Sequence, residues 1–199
     1  MQVVDMFKDF CGVEDLNKTF NIEEINSEIL KYKANIDPKG IEMNKSNRGG
    51  YQSDDLNFDE IIKNYPLLKR LFDYSIGRVK ELLEHQGVFI GNAWININES
   101  GDYNAKHTHA GSIISGIVYI SVPEDMDGGE LRFHRERSFE DYGIYKFLKK
   151  NIYGSGSYTI KPYSGLFVLF PSNIEHSVEQ HFSSKNRITL AINFPCMPI

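Results

Sequence analysis

Histidine is scarce in this 199-residue chain, six in all, yet two stand two positions apart in HTH, His107 and His109, at the mouth of an expected strand. Side chains at i and i+2 of an extended segment project to the same side, so both imidazoles can reach one point. His176, which follows FPSNI at the start of a later expected strand, offers a third neutral nitrogen. Three such ligands leave positions open on a first-row divalent metal. The competing reading is a chance pair on a solvated loop. Eleven residues after His176, Arg187 opens the apolar run RITLAINF, with Thr189 on the same face. An inward guanidinium on such a strand calls for an anion, because an unpaired buried charge is costly. A dicarboxylate held bidentately by the planar fork, with a hydrogen bond from the Thr189 hydroxyl, meets that requirement. The alternative is a surface arginine at a strand entrance. Trp94 and Asn96 share one face of an earlier strand, opposite Ile95 and Ile97. Asn96 there is either a polar group beside the site or a satisfied bridge inside a barrel. Ser115 is a weaker candidate for the same wall.

These side chains need a scaffold of strands. From residue 88 onward, short segments rich in Val, Ile, Tyr and Phe alternate with Gly, Pro, Asn and Asp, which predicts strands over 88–98, 112–122, 129–134, 157–162, 165–171, 175–180 and 187–194. Such spacing favours a sandwich or barrel. The first half reads as helical. Asn21 with Glu24 resembles a capping box ahead of a helix over 21–33, and Pro66 opens a second helix whose apolar stripe runs to Leu83 before Gly87 ends it. Residues 35–57 read as a long irregular connection. The stretch 135–156 interrupts the β pattern and reads as a lid, and both are candidates for substrate contact. The expected organisation is a single domain, 1–199, with 1–87 as helical support and 88–199 as the β core.

Composition narrows the function classes. A net charge of -5 disfavours constitutive binding to nucleic acid or anionic membranes. No apolar run reaches membrane-spanning length, and Asp5 and Asp9 lie where a secretory signal would be basic and then apolar, so a cytoplasmic protein is expected. Cys11 and Cys196 lie near opposite ends without CxxC spacing, which excludes a thiolate metal site and suggests buried free thiols. His85, His134 and His181 lack spacing partners and read as surface or structural residues.

The stretches GGYQS (49–53), NAWININESGDYNAKHTHAGSIISGIVYISVP (92–123), GGELRF (128–133), KPYSGLFVLFPSNIEHSV (161–178) and NRITLAINF (186–194) together carry a resemblance. Trp94 to Phe194 resembles the 2-oxoglutarate- and Fe(II)-dependent dioxygenases, in particular a bacterial and phage branch distantly related to prolyl hydroxylases. The match covers about half of the chain well, with 49–53 as a weaker upstream match. The resemblance implies a mainly β fold with N-terminal helices, a double-stranded β-helix (jelly-roll, cupin-like). It also implies Fe(II) as cofactor, 2-oxoglutarate as cosubstrate, dioxygen as oxidant and hydroxylation of a small molecule or peptide as the default outcome. Carried over, His107 and His176 are metal ligands, Arg187 binds the cosubstrate tail, and Tyr119 bonds a cosubstrate carboxylate, unless it is simply a core aromatic. The departure is His109, where the family ordinarily has an acidic residue. Either it ligates, giving three imidazoles, or it points away and another anion fills that place. Ligation is the preferred reading, since no carboxylate stands between Lys106 and Val122. Two other readings remain at this stage: a cupin-like three-histidine dioxygenase or isomerase without 2-oxoglutarate, and a non-catalytic jelly-roll binding protein.

Overall fold

The computed structural model describes residues 9–41, 45–135 and 156–198. A first short strand, β1 (Gly12–Asp15), leads through a 3-10 turn, Leu16–Lys18, into α1 (Ile22–Asn35). Asn21 caps α1 by accepting from the Glu24 backbone N–H, and its own amide donates to the Glu24 carboxylate. The expected box is therefore present, with the side chains bonded to each other. Two-residue strands β2 (Asn47–Arg48) and β3 (Tyr51–Gln52) follow, then α2 (Phe58–Asn64) and α3 (Pro66–Leu83). The α3 helix stops at Leu83, earlier than Gly87, because Glu84 takes up a left-handed conformation with φ of 51°. The 35–57 segment is thus less irregular than expected, since it contains β2 and β3.

The remaining strands are β4 (Asn92–Asn98), β5 (Tyr103–His107), β6 (Ile114–Ser121), β7 (Asp127–Gly128), β8 (Leu131–His134), β9 (Ser157–Ile160), β10 (Leu166–Pro171), β11 (His176–Val178), β12 (His181–Phe182) and β13 (Arg187–Phe194). They form a six-stranded sheet, β1-β10-β6-β13-β4-β3, facing a five-stranded sheet, β2-β5-β11-β8-β9, with β7 and β12 paired at one end. All pairings are antiparallel. Two of these sheets face to face, with helices on one outer surface, form the expected jelly-roll. The lid expected over 135–156 lies outside the described residues except for its two ends.

The period of two in the large sheet sorts its side chains into two cores. One face carries Ile95, Ile97, Val118, Ile120, Leu190 and Ile192, which meet Ile25, Ile29, Leu68, Leu71 and Val79 of α1 and α3. The opposite face carries Tyr119, Val168 and Phe170, which meet Leu131, Phe133 and Val178 of the small sheet. The helices therefore cover the outside of the large sheet and leave its inner face to the site.

Between β2 and β3 the chain crosses from the small sheet to the large one through Gly49 and Gly50, with φ of 81° and 65°. A Cβ at Gly49 would collide with the Asp102 carboxylate, and one at Gly50 with the Ile97 carbonyl. Only glycine accommodates both the left-handed backbone and this close approach.

Candidate active site

His107 and His176 are directly opposed cross-strand partners of β5 and β11, so their side chains leave the same face of the small sheet. Each ring is fixed by its own strand: Nδ1 of His107 donates to the Ala105 carbonyl at 2.7 Å, and Nδ1 of His176 to the Ile174 carbonyl at 2.9 Å. A carbonyl can only accept, so Nδ1 carries the proton and Nε2 is left with its lone pair. His109 lies two residues past the end of β5. Its backbone N–H donates to the Ser172 carbonyl at 2.9 Å, while its ring makes no hydrogen bond among the described residues. Even without continuous strand geometry the three rings converge. One nitrogen of each lies within 4.8 Å of the others, and the ring centroids are 4.2 to 5.0 Å apart.

Burial favours the uncharged form of all three. It pushes the His176 imidazolium down to about 3 and that of His109 to about 4, helped by the neighbouring rings, and lowers His107 as well. Phe170 packs edge-on against His176, with centroids 4.6 Å apart, and Trp94 lies 5.5 Å from His109. Three neutral, converging nitrogen donors suit a borderline divalent metal with positions to spare.

The opposite wall of the cavity belongs to the large sheet. Tyr119, Thr189 and Asn96 form one row across β6, β13 and β4, and Arg187 pairs with Asn98 one step along. Arg187, Tyr119, Thr189 and Asn96 all line the same cavity as the three histidines. Arg187 is 1% exposed, which excludes the surface reading. Its Nη2 donates to the Asn98 side-chain oxygen at 3.1 Å and its Nη1 to the Gly129 carbonyl at 3.5 Å, whereas Nε has no partner among the described residues. Among the described residues no carboxylate lies in ion-pair contact with it. The Tyr119 hydroxyl, fully buried and pushed by that burial up to about 12, is also unpartnered among the described residues, as is the Asn96 side-chain oxygen. Asn96 is therefore not the satisfied bridge that one reading of the sequence allowed. A buried cation without a carboxylate partner and a buried phenol without any partner among the described residues fit an anionic ligand with acceptor oxygens.

Ser115 does not reach the cavity. It bonds Ser172 and Asn193, each at 2.8 Å. Sequence reasoning passed over Asn47, Asn98 and Asn104, all buried, and also His181. His181 is buried completely within the field of Arg187, so the surface reading of this residue is overturned. Cys11 and Cys196 are free and half-buried, and burial pushes the Cys11 thiol up to about 11.

A family model described as "Putative 2OG-Fe(II) oxygenase" matches residues 92–193, just over half of the chain. The chain belongs to this oxygenase family. An Fe(II)- and 2-oxoglutarate-dependent oxidoreductase is thereby established, and the cupin-like and non-catalytic readings fall away. Solved structures agree at the level of fold. A prolyl-4-hydroxylase from Pseudomonas putida superposes with a TM-score of 0.60 at 13% identity, covering 94% of this chain and 93% of that one. The viral collagen prolyl hydroxylase of Paramecium Bursaria Chlorella virus-1, in its 2OG complex, gives 0.56 at 14%, covering 94% and 96%. HygX from Streptomyces hygroscopicus, with nickel and 2-oxoglutarate bound, gives 0.63 at 10%, covering 94% and 83%. A search of curated protein sequences returned no match. Among the oxygenase's described residues, no helix is long and apolar enough to cross a membrane.

Proposed function

We propose that His107, His109 and His176 ligate Fe(II), that Arg187 with Tyr119 and Thr189 holds the distal carboxylate of 2-oxoglutarate, and that the enzyme hydroxylates a small molecule or peptide. Asn96 completes the cosubstrate wall. The observation that carries this reading is a buried guanidinium without a carboxylate partner among the described residues, opening on the cavity where three imidazoles converge. Bound together, ferrous iron and 2-oxoglutarate let dioxygen oxidise a C–H bond while the 2-oxo acid is decarboxylated to succinate.

The chain supplies placement. The Ala105 and Ile174 carbonyls hold two imidazoles in the tautomer that a metal requires. Arg187 and Tyr119 offer converging donors to a carboxylate, and the apolar inner wall around Val168, Phe170 and Val178 limits water. Substrate would enter along the groove lined by Arg48, Gln52, Asn92, Trp94 and Thr108, which joins the cavity at His107 and His109. Free Cys11 and Cys196 fit a reducing, cytoplasmic setting.

The test is succinate formation after anaerobic reconstitution with Fe(II), started with dioxygen in the presence of candidate substrates. Arg187→Ala is expected to raise the KM for 2-oxoglutarate by on the order of a hundredfold while Fe(II) still binds. An unchanged KM would refute the assignment of Arg187.

A further inference from the structure

The side chain that accepts from the Arg187 guanidinium is a neutral amide, where an acid is the natural partner for a buried cation. Asn98, 0% exposed, is the cross-strand partner of Arg187 and accepts from its Nη2. The Asn98 amide donates in turn to the Asn47 side-chain oxygen at 2.9 Å, and the Asn47 amide donates to the Gly49 carbonyl at 2.8 Å. Asn104 adds a longer donation to the same Asn47 oxygen, at 3.4 Å. The direction of this relay is fixed from both ends. Guanidinium can only donate and a backbone carbonyl can only accept, so each asparagine between them must turn its oxygen toward Arg187 and its amide toward Gly49. The relay joins β4 of the large sheet to β2 and β5 of the small one.

Every link in it is uncharged. Asp102 is the carboxylate whose field reaches Arg187, but it accepts from the Glu99 backbone N–H at 2.7 Å, packs against Gly49 and Gly50, and makes no ion pair with the guanidinium. Arg187 is thus oriented without being neutralised by any described carboxylate, and its Nε has no partner among the described residues. An oriented but uncompensated charge is what an anionic ligand tail needs, because a built-in carboxylate would compete for the same donors.

We infer that Asn98, braced by Asn47 and Asn104, is a positioning residue for cosubstrate selection: it aims the Arg187 guanidinium and reserves its charge for the distal carboxylate of 2-oxoglutarate. This rests on the assignment of Arg187 proposed above.

The experiment compares binding of 2-oxoglutarate with that of 2-oxopentanoate, a 2-oxo acid of the same chain length without the distal carboxylate. Both are titrated calorimetrically into the anaerobic Fe(II) protein. The readout is the ratio of the two affinities, since general damage to the fold or the metal site weakens both ligands alike. Asn98→Ala is expected to lower the preference for 2-oxoglutarate by about tenfold through loss of a charge-assisted hydrogen bond. Asn98→Asp should lower it by on the order of a hundredfold, because the new carboxylate occupies the guanidinium. Arg187→Leu should abolish the preference. If both Asn98 variants keep the wild-type ratio, or lose both ligands equally, while Arg187→Leu loses the ratio, the positioning role of Asn98 is wrong and the assignment of Arg187 stands. A ratio preserved in Arg187→Leu overturns both.

Discussion

His107 and His176 have ring nitrogens fixed by backbone carbonyls, whereas the ring of His109 is held by packing beside Trp94. Replacing His109 therefore tests ligation with little disturbance to the other two. His109→Ala should weaken Fe(II) binding at least on the order of tenfold, and His109→Asp should tighten Fe(II) binding in the absence of 2-oxoglutarate by adding the missing negative charge. Chelator competition under anaerobic conditions measures both, and an unaltered affinity in each would identify a bystander. The imidazoles also predict a pH dependence. His109 and His176 titrate near 4 and 3 in the fold, below the usual 6.5, so the unfolded chain takes up protons first as pH falls. Stability of the metal-free protein should accordingly drop as pH falls from about 6.5 toward about 4, with a shallower decline in His176→Asn. Thermal unfolding across that range checks the slope, and parallel curves for the two proteins would contradict it. At this scale the three histidines, Arg187 and Thr189 were legible because their types are rare and their spacing respects strand periodicity. Asn47, Asn98 and His181 were not, because nothing local marks a polar residue as buried; that depends on which distant strands close over it.

The α3 helix depends on a long-range cap that sequence patterns do not contain. Tyr65 gives α3 no side-chain cap; instead the Glu28 carboxylate of α1 accepts from the Leu67 and Leu68 backbone N–H groups at 3.0 and 2.9 Å. This contact serves as the N-terminal cap and sets a negative charge at the positive end of the helix. Glu28→Ala should cost about 1–2 kcal/mol in chemical denaturation, with Glu28→Gln costing less. At the other end, Glu84→Gly should stabilise by about 1 kcal/mol, since glycine adopts the left-handed conformation without penalty. The two long helices and seven of the strands, β4, β6, β8, β9, β10, β11 and β13, were readable from periodicity, whereas β1 was not. Strands of two residues such as β2, β3, β7 and β12 cannot display a period, and β5 was hidden because its run YNAKH is polar. The site needs both β2 and β5, one for Asn47 and one for His107.

Across the whole molecule, the large sheet has an outer face covered by α1 and α3 and an inner face that carries Asn96, Tyr119, Arg187 and Thr189. We propose that residues 1–87 and 88–199 are one folding unit, since Ile25, Ile29, Leu68 and Leu71 share a core with Ile95, Val118 and Leu190. A single calorimetric transition is expected for the full chain, and the 88–199 fragment should aggregate through its uncovered apolar face; two separate transitions would contradict this. The sheets bring the imidazoles from one side and the guanidinium from the other to a single cavity, and the proposed chemistry depends on this convergence. Its most direct test is an anaerobic equilibrium titration of Fe(II) with and without 2-oxoglutarate, on the wild type and on His107→Ala and His176→Ala. One Fe(II) per chain is expected, bound more tightly when 2-oxoglutarate is present because the cosubstrate supplies the only ligand charge, with severe loss in both variants. Fe(II) binding that is indifferent to 2-oxoglutarate and survives both substitutions would contradict it.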